Sequence, residues 1–131
     1  MDITIECNHP RPRRRYCLEA KRCCHNTHPI SWYLEGIPPF LSGQYAADAP
    51  EAGLLGLVQG DSPQYWKQRA LNELEGQPAL ACDWVNADIV LTPDLPDMCA
   101  SRHLRENETR VTLYHAFLDC APVGEPGRSA V

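Results

Sequence analysis

Nowhere does the chain hold the roughly 20 consecutive apolar residues that a bilayer-spanning helix needs, so no membrane partner is expected. The opening Met1-Asp-Ile-Thr-Ile-Glu-Cys7 carries acidic residues and no long apolar run, unlike a secretion signal, which makes the cytoplasm the expected address. An even set of cysteines is missing too. There are seven (Cys7, Cys17, Cys23, Cys24, Cys82, Cys99 and Cys120), and an odd count with no export signal argues for thiols or metal ligands rather than a disulfide scaffold. Basic residues are scarce in the middle: residues 29–100 hold only Lys67 and Arg69 against ten acidic residues, while residues 1–28 carry six basic and three acidic ones. A basic head thus precedes an acidic body. Such faces keep a protein solvated, or direct the head to phosphate and the body to a basic partner.

What the chain does have is enough apolar residue, 44% against 22% charged, to build a core and to depart from the composition of disordered chains. At 131 residues one core is expected, as a single domain over residues 1–120 with a flexible tail at 121–131 that has little to bury. Twelve prolines spread along the chain keep the elements short and the loops abundant. Ile3-Thr-Ile5 alternates as a strand does, and the chain from 13 to 25 lacks Gly and Pro. There Tyr16, Cys17, Ala20, Cys23 and Cys24 fall at helical spacings, so a helix is expected. Ile30-Ser-Trp-Tyr-Leu34 reads as a strand, and 42–60, rich in Gly and Pro, as the least regular interior stretch.

The clearest helix covers 62–75, where Ser62 caps, Pro63 fills the first turn, Gly76 stops the helix in the left-handed conformation, and Trp66, Ala70, Leu71 and Leu74 form the buried face. Ala87-Asp-Ile-Val-Leu-Thr92 is an apolar run that suits a central strand covered on both faces. A short helix over 96–106 and a strand over 109–118, with Val111, Leu113, His115 and Phe117 on one side, would complete a crossover unit. The expected fold is a small α/β domain of about four short strands (2–7, 30–34, 87–92, 109–118) with three helices (13–25, 62–75, 96–106), with α+β as the alternative. Trp32, Trp66 and Trp84 are expected as core anchors, and so are Cys82, Cys99 and Cys120.

Ligand-type residues crowd the N-terminal part: Cys7, His9, Cys17, Cys23, Cys24, His25 and His28. Zinc takes four nitrogen or sulfur ligands at one point. Cys7 with His9 on an extended segment and Cys24 with His28 one helical turn apart would make a Cys2His2 site. The alternative is a buried stripe of Cys17, Ala20 and Cys24 with exposed histidines beside it. Arg11, Arg13, Arg14 and Arg15, followed by Tyr16, form a basic patch suited to an acidic protein partner or to nucleic-acid phosphates with Tyr16 stacking on a base.

Cys7-Asn-His-Pro-Arg-Pro-Arg13 is a Cys-x5-Arg segment set after a strand and before an expected helix, and it resembles the phosphate-binding loop of low-molecular-weight phosphotyrosine phosphatases and the related arsenate reductases. Asp61-Ser-Pro before a helix, then Ala87 to Thr92, a short helix and Arg110-Val-Thr-Leu-Tyr114, is similar to that family's element order. The resemblance implies an α/β fold, a thiolate nucleophile at Cys7 and a phosphate-binding Arg13. Pro10 and Pro12 lack the backbone donors such a loop uses, and Arg14 stands where that family carries Ser or Thr.

Three functions follow as expectations. The first is a small non-enzymatic binding or regulatory protein, such as an inhibitor of a larger protein or nucleic-acid machine, with zinc or a docking surface at its head. The second is a Cys-dependent, phosphatase-like enzyme using Cys7 and Arg13. The third is nucleic-acid binding through Arg11–Arg15.

Overall fold

The computed structural model describes residues 2–7 and 14–120, with side chains from residue 16 onward. Its centre is a six-stranded mixed sheet, so the α/β class expected from the sequence holds, with more strands than the four expected. In chain order the elements are β1 (Asp2–Cys7), β2 (Arg14–Cys23), α1 (Ile30–Leu34), α2 (Pro38–Leu41), β3 (Glu51–Val58), α3 (Pro63–Leu74), a 3-10 turn (Pro78–Leu80), β4 (Cys82–Asn86), β5 (Met98–Leu104) and β6 (Arg110–Asp119). Across the sheet the order is β1-β2-β3-β6-β5-β4. The central β2, β3 and β6 are parallel, and antiparallel pairs flank them: β1 with β2 on one side, β5 with β6 and β4 with β5 on the other.

Helix α3 forms for the reasons its sequence offers. The Ser62 side chain accepts a hydrogen bond from Tyr65 N (3.1 Å), Pro63 opens the first turn, and Trp66, Ala70, Leu71 and Leu74 are buried. Its end differs from expectation: Gly76 N–H closes a tight turn onto the Glu73 carbonyl (3.1 Å) and Gly76 is not left-handed. Strands 2–7 and 110–119 also lie where expected, and Val111, Leu113, His115 and Phe117 all face inward.

Elsewhere the elements change type. The expected helix over 13–25 is strand β2, because six residues pair with β1 on one side and six with β3 on the other, and this non-local pairing outweighs the helical spacing of its cysteines. The expected strand at 30–34 is helix α1. Ile30, Tyr33, Leu34 and Ile37 follow the helical i, i+3, i+4, i+7 rhythm and are buried, while Trp32 faces out. The stretch 42–60 contains β3, the centre of the sheet, whose glycines sit where neighbours come close. A Cβ on Gly53 would lie 2.2 Å from Leu18 Cδ2, and one on Gly56 would lie 2.5 Å from Phe117 Cδ1. The run 87–92 is not a strand but part of a loop over 87–97, and the expected helix at 96–106 is β5, hairpin-paired to β6, so no crossover joins them.

All the helices pack on one face of the sheet. Alternation along each strand sends Cys23, Leu54, Val58, Val111, Leu113 and Phe117 to that side, where they meet Ile30, Tyr33, Leu34, Ile37, Phe40, Trp66, Ala70 and Leu74 in one core. Of the three tryptophans only Trp66 is a core anchor; Trp32 and Trp84 are exposed. Cys99 is buried as expected, Cys82 is half-buried and Cys120 is exposed. Arg105, in the β5–β6 turn, is buried and donates to the carbonyls of Phe40 (3.1 Å), Ala46 (2.7 Å) and Ala49 (2.6 Å), fastening the loop between α2 and β3. Among the described residues no helix is long and apolar enough to cross a membrane.

Candidate functional site

The densest polar chemistry lies inside the helix-covered face. His103 Nδ1 donates to the Leu80 carbonyl (2.6 Å), which leaves Nε2 as an acceptor for the Ser101 hydroxyl (2.7 Å). Ser101 Oγ then accepts from His115 Nε2 (2.7 Å), so His115 Nδ1 is the acceptor of the Tyr33 hydroxyl (2.6 Å). Every proton in this chain is accounted for with both imidazoles neutral. Burial holds both histidines below their ordinary pKa, and burial followed by the nearby His103 takes His115 down to about 3. Burial likewise pushes the Tyr33 phenol well up and the Cys99 and Cys23 thiols up to about 12. A serine between two histidines invites a nucleophile-and-base reading, but Tyr33, Ser101, His103 and His115 all have zero exposure, so no substrate reaches them. Their role is to satisfy one another within the core.

A second polar group sits where β2 and β3 end. His25 Nε2 pairs with the Asp61 carboxylate, and the imidazole stacks on Trp66 with centroids 4.9 Å apart and meets the Tyr65 edge at 5.2 Å. Trp66 is itself fixed by its indole N–H to the Gly60 carbonyl (2.7 Å). Nearby, Cys24 and His28 exchange both backbone hydrogen bonds (2.9 and 2.7 Å) across a tight turn, and His28 packs edge-on against Trp32, over which Lys21 Nζ stands at 4.7 Å. The exposed rings here are those of His25, Trp32 and Tyr65, whereas Trp66 is buried. Among the described residues, no three His, Cys, Asp or Glu side chains are grouped as a metal site.

The expected ligand set fares accordingly. Cys24 and His28 do meet, though across a turn and not along a helix. Cys7 pairs with Arg14, at the opposite end of β2 from Cys24. Ten residues of strand at about 3.3 Å each put Cys7 about 30 Å from Cys24, so this backbone does not gather Cys7, Cys24 and His28 around one ion. His9 lies outside the described residues, as do Arg11 and Arg13, and with them the Cys-x5-Arg loop. The helix whose first amides would complete such a phosphate loop is strand β2 here. Arg14 and Arg15 open that strand, opposite Cys7 and Glu6, and Tyr16 follows as an exposed residue on the other side of the sheet from the helices.

That other side is the largest feature that the residue-by-residue reading missed. No helix covers it among the described residues; Leu18 from β2, Leu55 and Leu57 from β3, and Tyr114 and Leu118 from β6 are half-buried there, while Ala20, Ala116, Met98 and Ala100, which point the same way, are buried. A groove of about 360 Å³ runs along it. Gly53, Leu55, Tyr114 and Ala116 are its floor, Tyr16 and Leu18 one wall, and Leu91, Leu95 and Met98 the other. One end is polar, because Tyr114 hydrogen-bonds Glu51; burial first, then the Glu51 charge and hydrogen bond, raise the Tyr114 pKa. Beyond the groove Asp83 accepts from Arg102 Nε (2.7 Å) and Arg110 Nε (2.8 Å), which hold its carboxyl below the usual range. The loop at 87–97 carries Val90 and Leu91, each 68% exposed, in the very run that the sequence suggested was a doubly covered strand. The signal that would have found this face is the alternation of Leu18 with Ala20 and of Leu55 with Leu57, legible only once the strands are placed.

No protein-family model matches the chain, and no curated protein and no solved structure matches it either.

Proposed function

We propose that this protein is a small non-enzymatic binding domain that engages another polypeptide through the helix-free face of its sheet. The observation that carries this reading is the juxtaposition of an apolar groove with the exposed Val90–Leu91 pair on a face that no helix covers among the described residues. Parallel strands such as β2, β3 and β6 are ordinarily covered on both faces, and apolar groups left open on one of them mark a place of association. The apolar residues extend past the groove to Leu57, Leu118 and Trp84, which favours a polypeptide over a small molecule that would fill the groove alone. A domain of this kind acts by occupying another chain, the way a regulator or an inhibitor does. The enclosure of the Ser101–His103–His115 chain supports the absence of catalysis there.

Titration with an environment-sensitive apolar dye tests the face. Dye fluorescence should rise on the native protein and fall at least severalfold in Leu55→Glu, whose side chain points into the groove. Equal dye binding by the folded variant would sink the reading.

A further inference from the structure

We infer that the occupant of the helix-free face is a second copy of this chain, laid sheet against sheet about a two-fold axis. This rests on the binding-face reading above and names its partner. Area is the first argument. Met98 and Ala100 on β5 are already closed off, so the open part of the sheet is β1, β2, β3 and β6. With strands about 4.8 Å apart and about 3.3 Å per residue, four strands of about seven residues give a footprint of about 440 Å², and the exposed Tyr16, Trp84, Val90 and Leu91 extend it towards the roughly 800 Å² per partner of a standard interface. Two sheets also pack well face to face, about 10 Å apart, when leucines from each interdigitate, and Leu18, Leu55, Leu57 and Leu118 stand half-buried for that purpose.

Reciprocity is the second argument. An isologous contact needs both a hollow and a projection on the same face, so that each copy fills the other. Here the groove is the hollow and the Val90–Leu91 tip beside it is the projection.

Charge is the third. The loop at 87–97 carries Asp88, Asp94 and Asp97 and no basic residue, and it borders the β5 side of the face. Asp88 is exposed but engaged by Lys67 (3.6 Å), and Asp94 is exposed as well. Rotation by two-fold symmetry about an axis along β3 and β6 carries that loop over the β2 side of the partner, where exposed Arg22 ends the face. Acid then meets base twice, once in each half.

The molecular mass in solution is the test, measured by light scattering and by sedimentation over a hundredfold range of concentration. The wild type should show twice its 14.7 kDa chain mass at the upper end. Leu91→Asp changes a residue that is already largely exposed, so the fold should persist, and dimerisation should weaken at least tenfold. Arg22→Glu should weaken it as well, and Asp94→Lys on the same chain should restore it, which a merely sticky surface would not do. A wild type that stays monomeric, a Leu91→Asp variant that dimerises like the parent, or assembly into open-ended oligomers would each overturn the inference. The two readings separate cleanly: a monomer that still loses dye binding on Leu55→Glu keeps the binding face and removes the second copy as its occupant, whereas a monomer with no such loss removes both.

Discussion

The two faces of this sheet invert the usual division of labour. Under the helices lies the chemistry, a serine, two histidines and a tyrosine in one hydrogen-bonded line, sealed from solvent. On the side without helices lie leucines, alanines and a groove. Residue type therefore points to the wrong face. The reactive groups are spent on satisfying each other in a core that would otherwise hold unpaired polar atoms, and the unreactive groups are the ones left for a partner.

The sharpest way to break this comparison is to delete the same kind of bulk from each side. Phe117→Ala removes a ring packed against Tyr33 at 5.0 Å in the closed core, and it should lower the unfolding free energy by about 3–5 kcal/mol in urea titrations. Leu57→Ala, on the open side, should cost less than about 1.5 kcal/mol because its side chain is partly hydrated already. Equal costs would mean that the open side is as well packed as the covered one.

Acid separates the faces next. His115 is neutral in the fold with its pKa near 3, and it titrates near 6.5 once unfolded. A depressed folded pKa means that the unfolded chain binds more protons, so the stabilisation is fully present above pH 6.5 and is lost progressively as pH falls from there towards 3. By pH 5 the loss from His115 is about 2 kcal/mol, and His103, shifted in the same direction, adds to it. The urea midpoint should drop accordingly between pH 7 and pH 5, and the drop should shrink in His115→Gln. A midpoint that stays level over that interval would show that the buried chain accepts a proton without opening.

The smallest contrast lies within β3. Gly56→Ala drives a methyl against the Phe117 ring, with Cys23 Sγ at 3.2 Å behind it, and should cost about 1–3 kcal/mol as an overpacked core does. Gly53→Ala meets only the movable end of Leu18 on the open side, and its thermal midpoint should fall by less. If Gly53→Ala proved the more harmful, the open side would have to be the more rigid of the two.

How much of this was legible beforehand depended on whether the signal was local. Helix α3 carries its cap, its proline and its buried stripe within fourteen residues, so it could be read directly. Strand β6 announced its inward side by simple alternation, with His115 among the inward residues. Strand β2 could not be read, because residues 14–23 satisfy helical and extended rhythms alike and the choice is made by partners 30 or more residues away in β3. Strand β3 was hidden by its two glycines, which exist for the sake of Leu18 and Phe117. The run at 87–92 misled in a more useful way: an apolar sequence that the single chain leaves outside is a request for a cover. The candidate face was illegible for a related reason. Its residues are ordinary leucines and alanines, and they gain meaning only because no helix lies above them among the described residues.

Arg105 ties two distant parts of the chain together. Its three carbonyl partners lie 65, 59 and 56 residues earlier in the chain, so none of its bonds can form while the β5–β6 turn is still unmade. Those three carbonyls, in α2 and the segment joining it to β3, therefore have their buried donor only when the C-terminal hairpin is in place, so a lesion in that hairpin reaches a loop in the first half of the chain.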